Sequence, residues 1–139
     1  EDFTFKGSVK NGLKDGKGQL ILKNGIIYNF NWVNGEFYGK GEIIYNNGDV
    51  YEGYVINYNR NGKGKIVYKN GDIFDGHWLN DMRSGYGKYI SNEEKYTGEW
   101  ANDKKNGIGI LEYKDFIVES KWICDIRNNS CKIYYNNGS

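Results

Sequence analysis

The sequence predicts an all-β chain, an elongated single-layer antiparallel meander, a solenoid of stacked β-hairpins. Three observations carry this expectation. A short aromatic-glycine pattern returns every 22 or 23 residues along the whole chain. Asn-Gly pairs recur between the copies. The chain holds 20 glycines and 17% aromatic residues but no proline. Disordered glycine-rich chains lack such aromatic content, and without proline no strand loses a ladder donor.

The copies begin at Phe5 (FKGSV), Tyr28 (YNFNW), Tyr51 (YEGYV), Phe74 (FDGHW) and Tyr96 (YTGEW). A second series, G-x-G, runs in phase at Gly16, Gly39, Gly62, Gly85 and Gly107. A sixth, degraded copy opens at Val118 with VESKW, and Asn129 and Cys131 stand where its glycines would be. It closes with Tyr135, Asn137 and Gly138. The expected repeats are therefore 5–27, 28–50, 51–73, 74–95, 96–117 and 118–139, forming one array. Each copy reads as two strands, because side chains alternate between two faces. In the third copy Tyr51, Gly53 and Val55 point one way and Glu52 and Tyr54 the other. Gly62, Gly64, Ile66 and Tyr68 share one face, and lysines dominate the opposite one. Aromatics and glycines thus occupy one face in every copy, where a ring can lie on bare glycine backbone. Asn24-Gly25, Asn47-Gly48 and Asn70-Gly71 are expected as type I′ turns between repeats, with positive φ at both central residues. A longer loop, such as Val33–Tyr38 or Leu79–Ser84, is expected inside each repeat. Twelve strands at about 4.8 Å spacing give a twisted ribbon roughly 55 Å long.

Charge excludes some classes of partner. Nineteen basic and 18 acidic residues leave a net charge of +1, which provides no long-range field for nucleic acid. No apolar run approaches the ~20 residues of a membrane-spanning helix. Two cysteines are too few for a disulfide framework, so a cytoplasmic setting is expected. A start at Glu1 rather than methionine leads us to expect a fragment or a processed chain.

Y-x-G-x-W, a loop, G-x-G and then Y-x-N-G-D, at a period of 23, closely resembles the MORN repeat, over residues 5 to 139. The resemblance implies a β-ribbon with an aromatic-lined groove and a scaffold or adaptor role, often at membranes or the cytoskeleton. It also implies self-association in some members, a peptide partner in others, and phosphoinositide binding in some accounts. The chain departs from the pattern at Phe30, which replaces a first-strand glycine, and at Val9 and Val55, which replace the tryptophan. Ser91 replaces a second-strand tyrosine, and the sixth copy lacks G-x-G.

The candidate sites follow from this. Tyr28, Trp32, Tyr51, Phe74, Trp78, Tyr96 and Trp100 recur on one face, joined by Trp122. A single-layer sheet has no second layer to cover them, and exposed apolar surface marks binding sites. They are expected both to join neighbouring hairpins and to line a groove for a protein partner, a peptide or a helix. Trp122, Ile123, Cys124, Ile126 and Cys131 make the last copy apolar where a water-facing cap would carry charge, so a homodimer contact is expected there. Cys124 and Cys131 read as free thiols, though a bridge across the hairpin, a bridge between chains or a shared metal stays open. His77, the single histidine, reads as an exposed bystander. One histidine and two cysteines make no nucleophile–base arrangement. G-K-G lacks the Ser/Thr and helix of a phosphate loop. No catalytic residue, cofactor or metal is expected.

The leading expectation is a non-enzymatic protein-binding scaffold at the cell cortex or cytoskeleton. Alternatives are a phospholipid-binding module using Lys10, Lys14, Lys104 and Lys105, a carbohydrate- or choline-binding array, and a repeat array regulating an attached enzyme domain. Weak binding of anionic lipid fits the balanced charge.

Overall fold

The computed structural model describes residues 3–37 and 39–135, with side chains at all of these but 129 and 130. One antiparallel sheet contains every strand: β1 (Phe3–Lys10), β2 (Leu13–Leu22), β3 (Ile27–Val33), β4 (Glu36–Phe37), β5 (Lys40–Ile44), β6 (Val50–Ile56), β7 (Asn59–Val67), β8 (Ile73–Leu79), β9 (Met82–Ile90), β10 (Lys95–Ala101), β11 (Lys104–Glu112), β12 (Phe116–Ile123) and β13 (Ile126–Tyr135). Twelve of them pair in chain order, and β4 lies off this path, paired to β3. The expected meander of stacked hairpins is therefore the fold, with β4 as an addition. The closing Asn137 and Gly138 of the sixth copy lie outside the described residues.

The turns reverse the expected assignment. Inside the repeats the strands are joined by two-residue tips with positive φ at both positions. Asn34-Gly35 has φ of 50° and 85°, and Asn80-Asp81 has 48° and 71°. These are the type I′ geometries whose twist matches that of the strands. The loops expected at Val33–Tyr38 and Leu79–Ser84 give way to strand, since pairing resumes at Glu36 and at Met82; Tyr38 lies outside the described residues. The links between repeats are wider. The Gly71 N–H donates to Tyr68 O at 2.9 Å, Tyr68 N to Asp72 O at 2.8 Å, and Asp72 N to Asn70 Oδ1 at 2.9 Å. Only Gly71 has positive φ there, 96°. This is a type I turn closed by a left-handed glycine, a three-residue connection, and Asn70 works through its side chain. Asn24-Gly25 and Asn47-Gly48 repeat it.

The shortened repeats have a local cause. Ser91 N donates to Glu94 O at 3.0 Å and Tyr113 N to Phe116 O at 2.9 Å. These links span only Asn92-Glu93 and Lys114-Asp115. Omitting the glycine shortens the period by one residue without shifting the strands.

Gly71 itself has open space where a Cβ would project. Gly71→Val should therefore cost only the backbone strain of a left-handed non-glycine residue, about 1–2 kcal/mol. Urea denaturation of the two proteins measures it, and Gly71→Asn should lose less because Asn tolerates that conformation.

The two glycines of G-x-G have separate jobs. Gly16, Gly62, Gly85 and Gly107 have φ between 82° and 113° and lie where the register shifts within a hairpin, as between Gly53 and Val55. Such bulges bend a strand and increase its twist. The second glycine lies under a ring. A Cβ on Gly64 would land on Tyr51, on Gly87 on Phe74, and on Gly109 on Tyr96. In the second repeat Phe30 takes the ring's place over Gly41 and stacks on Phe37 with centroids 3.9 Å apart. Its bulk confines β3–β5 pairing to Ile27–Asn29 against Glu42–Ile44, leaving β4 as a detached piece.

Candidate functional site

The ring face is the core. Tyr28, Trp32, Tyr51, Phe74, Trp78, Tyr96, Trp100 and Trp122 are between 0 and 8% exposed. The expectation of accessible rings is thus corrected: they lie between hairpins rather than open to a groove. Three tryptophans donate their indole N–H to the carbonyl of a glycine, Trp32 to Gly18 O at 3.3 Å, Trp78 to Gly64 O at 3.0 Å and Trp100 to Gly87 O at 3.3 Å. Edge contacts link the repeats, such as Tyr51 to Trp78 at 5.5 Å and Tyr96 to Trp122 at 5.0 Å. Burial raises the phenol pKa of Tyr45 and Tyr96 to about 12 and shifts Tyr51 and Tyr89 further in the same direction. For Tyr89 the Asp72 carboxylate, which accepts its Oη at 2.8 Å, adds to the effect.

Cations supply the missing second layer. The Arg60 guanidinium lies 4.4 Å from the Trp78 ring centroid, and that of Arg83 lies 4.6 Å from Trp100. Lys14 covers Trp32 at 5.4 Å and Lys105 covers Tyr96 at 5.1 Å. The arginines are held by the tip of the following repeat. Arg60 Nε donates to Asp81 Oδ1 at 2.8 Å and its Nη2 to Asp81 O at 2.9 Å, while Asp81 N donates back to Arg60 O. Arg83 and Asp103 repeat the arrangement. Asp125 accepts from Lys105 N at 2.8 Å. These half-exposed carboxylates add little as charges alone, but they anchor left-handed residues and lock one hairpin to the next. Sequence reading passed over this lattice. Its signal was present: an aspartate at the second tip position stands 20 or 21 residues after Arg60, Arg83 and Lys105, while Gly35 takes that position after Lys14.

The opposite face carries a groove. One cavity of about 590 Å³ is lined by Lys40, Glu42, Glu52, Tyr54, Lys63, Lys65 and Asp75. A second, about 460 Å³, is lined by Lys6, Lys17, Gln19, Asn29, Asn31 and Lys40, with Gly18 and Phe30 backing it. A third, about 380 Å³, is lined by Tyr86, Thr97, Glu99, Ile108, Ile110 and Glu119. Cross-strand pairing connects them in one row from Lys6–Gln19 through Glu52–Lys65 and Lys65–Asp75 to Glu119–Lys132. Tyr86 and Ile108 are about 60% exposed here. His77, on the same face, is exposed, its Nδ1 3.2 Å from Tyr86 O.

The last hairpin shows how the pattern decays. Val118 takes the ring's position, with Ser120 and Cys131 paired across the glycine positions. Losing the ring leaves room for both side chains. Cys131 therefore faces Ser120 and not Cys124, which sits in the tip with φ 48°, and both thiols are free. Trp122 is buried against Tyr96, so it is withdrawn from any self-association surface. Ile123 and Ile126 remain 63% and 73% exposed. Ile133 is 46% exposed, although its counterparts Leu20, Ile43, Ile66 and Leu111 are at 6% or less.

Among the described residues no group of three or more His, Cys, Asp or Glu is placed to hold a metal. No curated protein matches the sequence. The model of the MORN repeat family matches residues 5–27, 31–50, 51–73, 74–92 and 96–116. These five matches cover most of the chain and coincide with the first five copies, so the protein belongs to the MORN repeat family.

Proposed function

We propose that the array is a non-catalytic scaffold module that takes a protein partner in the groove on the face opposite the rings. The carrying observation is the exposure of Tyr54, Tyr86, Ile108 and Ile110 along that groove while the rings behind them are buried. Exposed apolar side chains in a groove, with polar groups beside them, form a binding surface. The face also has no ion pair between its charged side chains among the described residues, although Glu42 and Glu99 accept hydrogen bonds from Asn29 Nδ2 and Ile108 N. Tyr86→Glu together with Ile108→Glu should abolish capture of the partner by the full-length protein in a pull-down and leave the circular dichroism spectrum unchanged. Retention of the partner would move its site to the tips or the ring face.

Self-association through the last hairpin is a second reading, favoured by the exposure of Ile133 in a column that is buried in four of the five earlier repeats and half-buried at Tyr89. Among the described residues β13 is the last strand in the sheet order, and an apolar strand in that place promotes pairing with another strand. A two-fold contact would place the same edge on both chains. Sedimentation at high concentration should show a dimer, and Ile133→Lys should dissociate it. A monomer throughout removes this reading.

A further inference from the structure

The middle residue of G-x-G faces the groove in every repeat, and its chemistry changes along the array. It is Lys17, Lys40 and Lys63 in the first three repeats, then Tyr86 and Ile108. The next groove-facing residue runs Gln19, Glu42, Lys65, Lys88 and Ile110 through the same five repeats, with Lys132 beyond them. The cavity at the first repeats is lined by Lys6, Lys17 and Lys40 and by no carboxylate, and none of these lysines is in an ion pair among the described residues. At the other end the lining is Tyr86, Ile108 and Ile110, with Thr97 and two glutamates. Between them Glu42, Glu52 and Asp75 alternate with Lys63 and Lys65.

We infer that the groove is polarised and fits an extended peptide with an acidic end on Lys6, Lys17 and Lys40 and an apolar end on Tyr86, Ile108 and Ile110. The inference rests on the groove reading above and adds the partner's chemistry and direction. Successive middle residues lie two strands apart, about 10 Å. From Lys17 to Ile108 the groove therefore spans roughly 40 Å. A chain in the polyproline II conformation, with three residues per turn and about 3.1 Å per residue, covers this in about a dozen residues and turns one side chain in three toward each repeat. The expected partner carries Asp or Glu at two or three such positions and aliphatic or aromatic side chains at the following two. Charge complementarity fixes the direction, because an apolar end placed among the lysines would desolvate them without compensation.

Selection of random twelve-residue peptides displayed on phage, against the whole chain, tests this. Enriched peptides should carry acidic residues at one end and apolar residues at the other. Lys17→Glu with Lys40→Glu should weaken the best of them by about tenfold or more, as should Ile108→Glu. A spin label on the acidic end should broaden the amide signals of Lys17 and Lys40 and spare Ile108. Groove-binding peptides with no charge bias, indifferent to the lysine reversals or bound in the opposite direction, would overturn the polarity and leave the groove reading intact. Enrichment of no peptide sensitive to Tyr86→Glu would overturn both.

Discussion

Trp78→Ala is expected to lower the stability of the array by about 3–5 kcal/mol, the range for truncating a buried aromatic. The indole is 4% exposed and sits at the crossing of every kind of contact on the ring face. It meets Tyr51 and Phe74 edge-on at 5.5 and 5.2 Å, donates to Gly64 O and lies under Arg60. Its removal strands a carbonyl and exposes a guanidinium seat as well as opening a cavity. Because hairpins contact only their neighbours, the loss should be local, splitting one unfolding transition into two. Calorimetry with a fragment-resolved hydrogen-exchange map would show which repeats melt first. A loss of 1 kcal/mol or less with a single transition would mean that the rings contribute little to coupling the repeats.

The second large effect is a coupled one. Gly64→Ala should cost about 1–3 kcal/mol through overpacking, since its Cβ would land on the Tyr51 ring, which is fully buried and has no room to retreat. Adding Tyr51→Val should recover part of this, giving a non-additive double-mutant cycle. The last hairpin is the natural precedent, with Val118 in the ring position and Cys131 opposite Ser120. Additive losses would mean that the glycine is required by the backbone and not by the ring.

The fold class was legible because the pattern is periodic. An alternation of period two, repeated in phase five times, leaves no room for a helix, and G-x-G against Y-x-G marks which strands face each other. The turns were misassigned because Asn-Gly is compatible with two geometries. In Asn34-Gly35 both residues are left-handed; in Asn70-Gly71 only the glycine is. At two of the tips the tertiary lattice adds support: Arg60 and Arg83 bind the left-handed Asp81 and Asp103 from the preceding repeat. The aromatic residues were correctly grouped on one face but expected to be open. Sequence periodicity states which side chains share a face; whether side chains from the adjacent hairpin roof that face depends on long Arg and Lys side chains crossing 20 or so residues away. The groove residues lay in plain view as the lysine-rich side of the alternation, and the change from Lys63 to Tyr86 at one repeat position is readable once that side is known to be the open one.

The order of the strands has a consequence for biosynthesis. Every ladder joins strands adjacent along the chain, with β4 only a local offshoot, and the hydrogen bonds between tips reach no further than Asn46 to Asn24, 22 residues back. No segment waits for a distant one. Each hairpin can close, and be stitched to its predecessor through Arg60–Asp81 or Arg83–Asp103, soon after it leaves the ribosome. Loop-closure entropy stays small at each step, and the nascent chain exposes one growing edge at a time rather than a whole unpaired sheet.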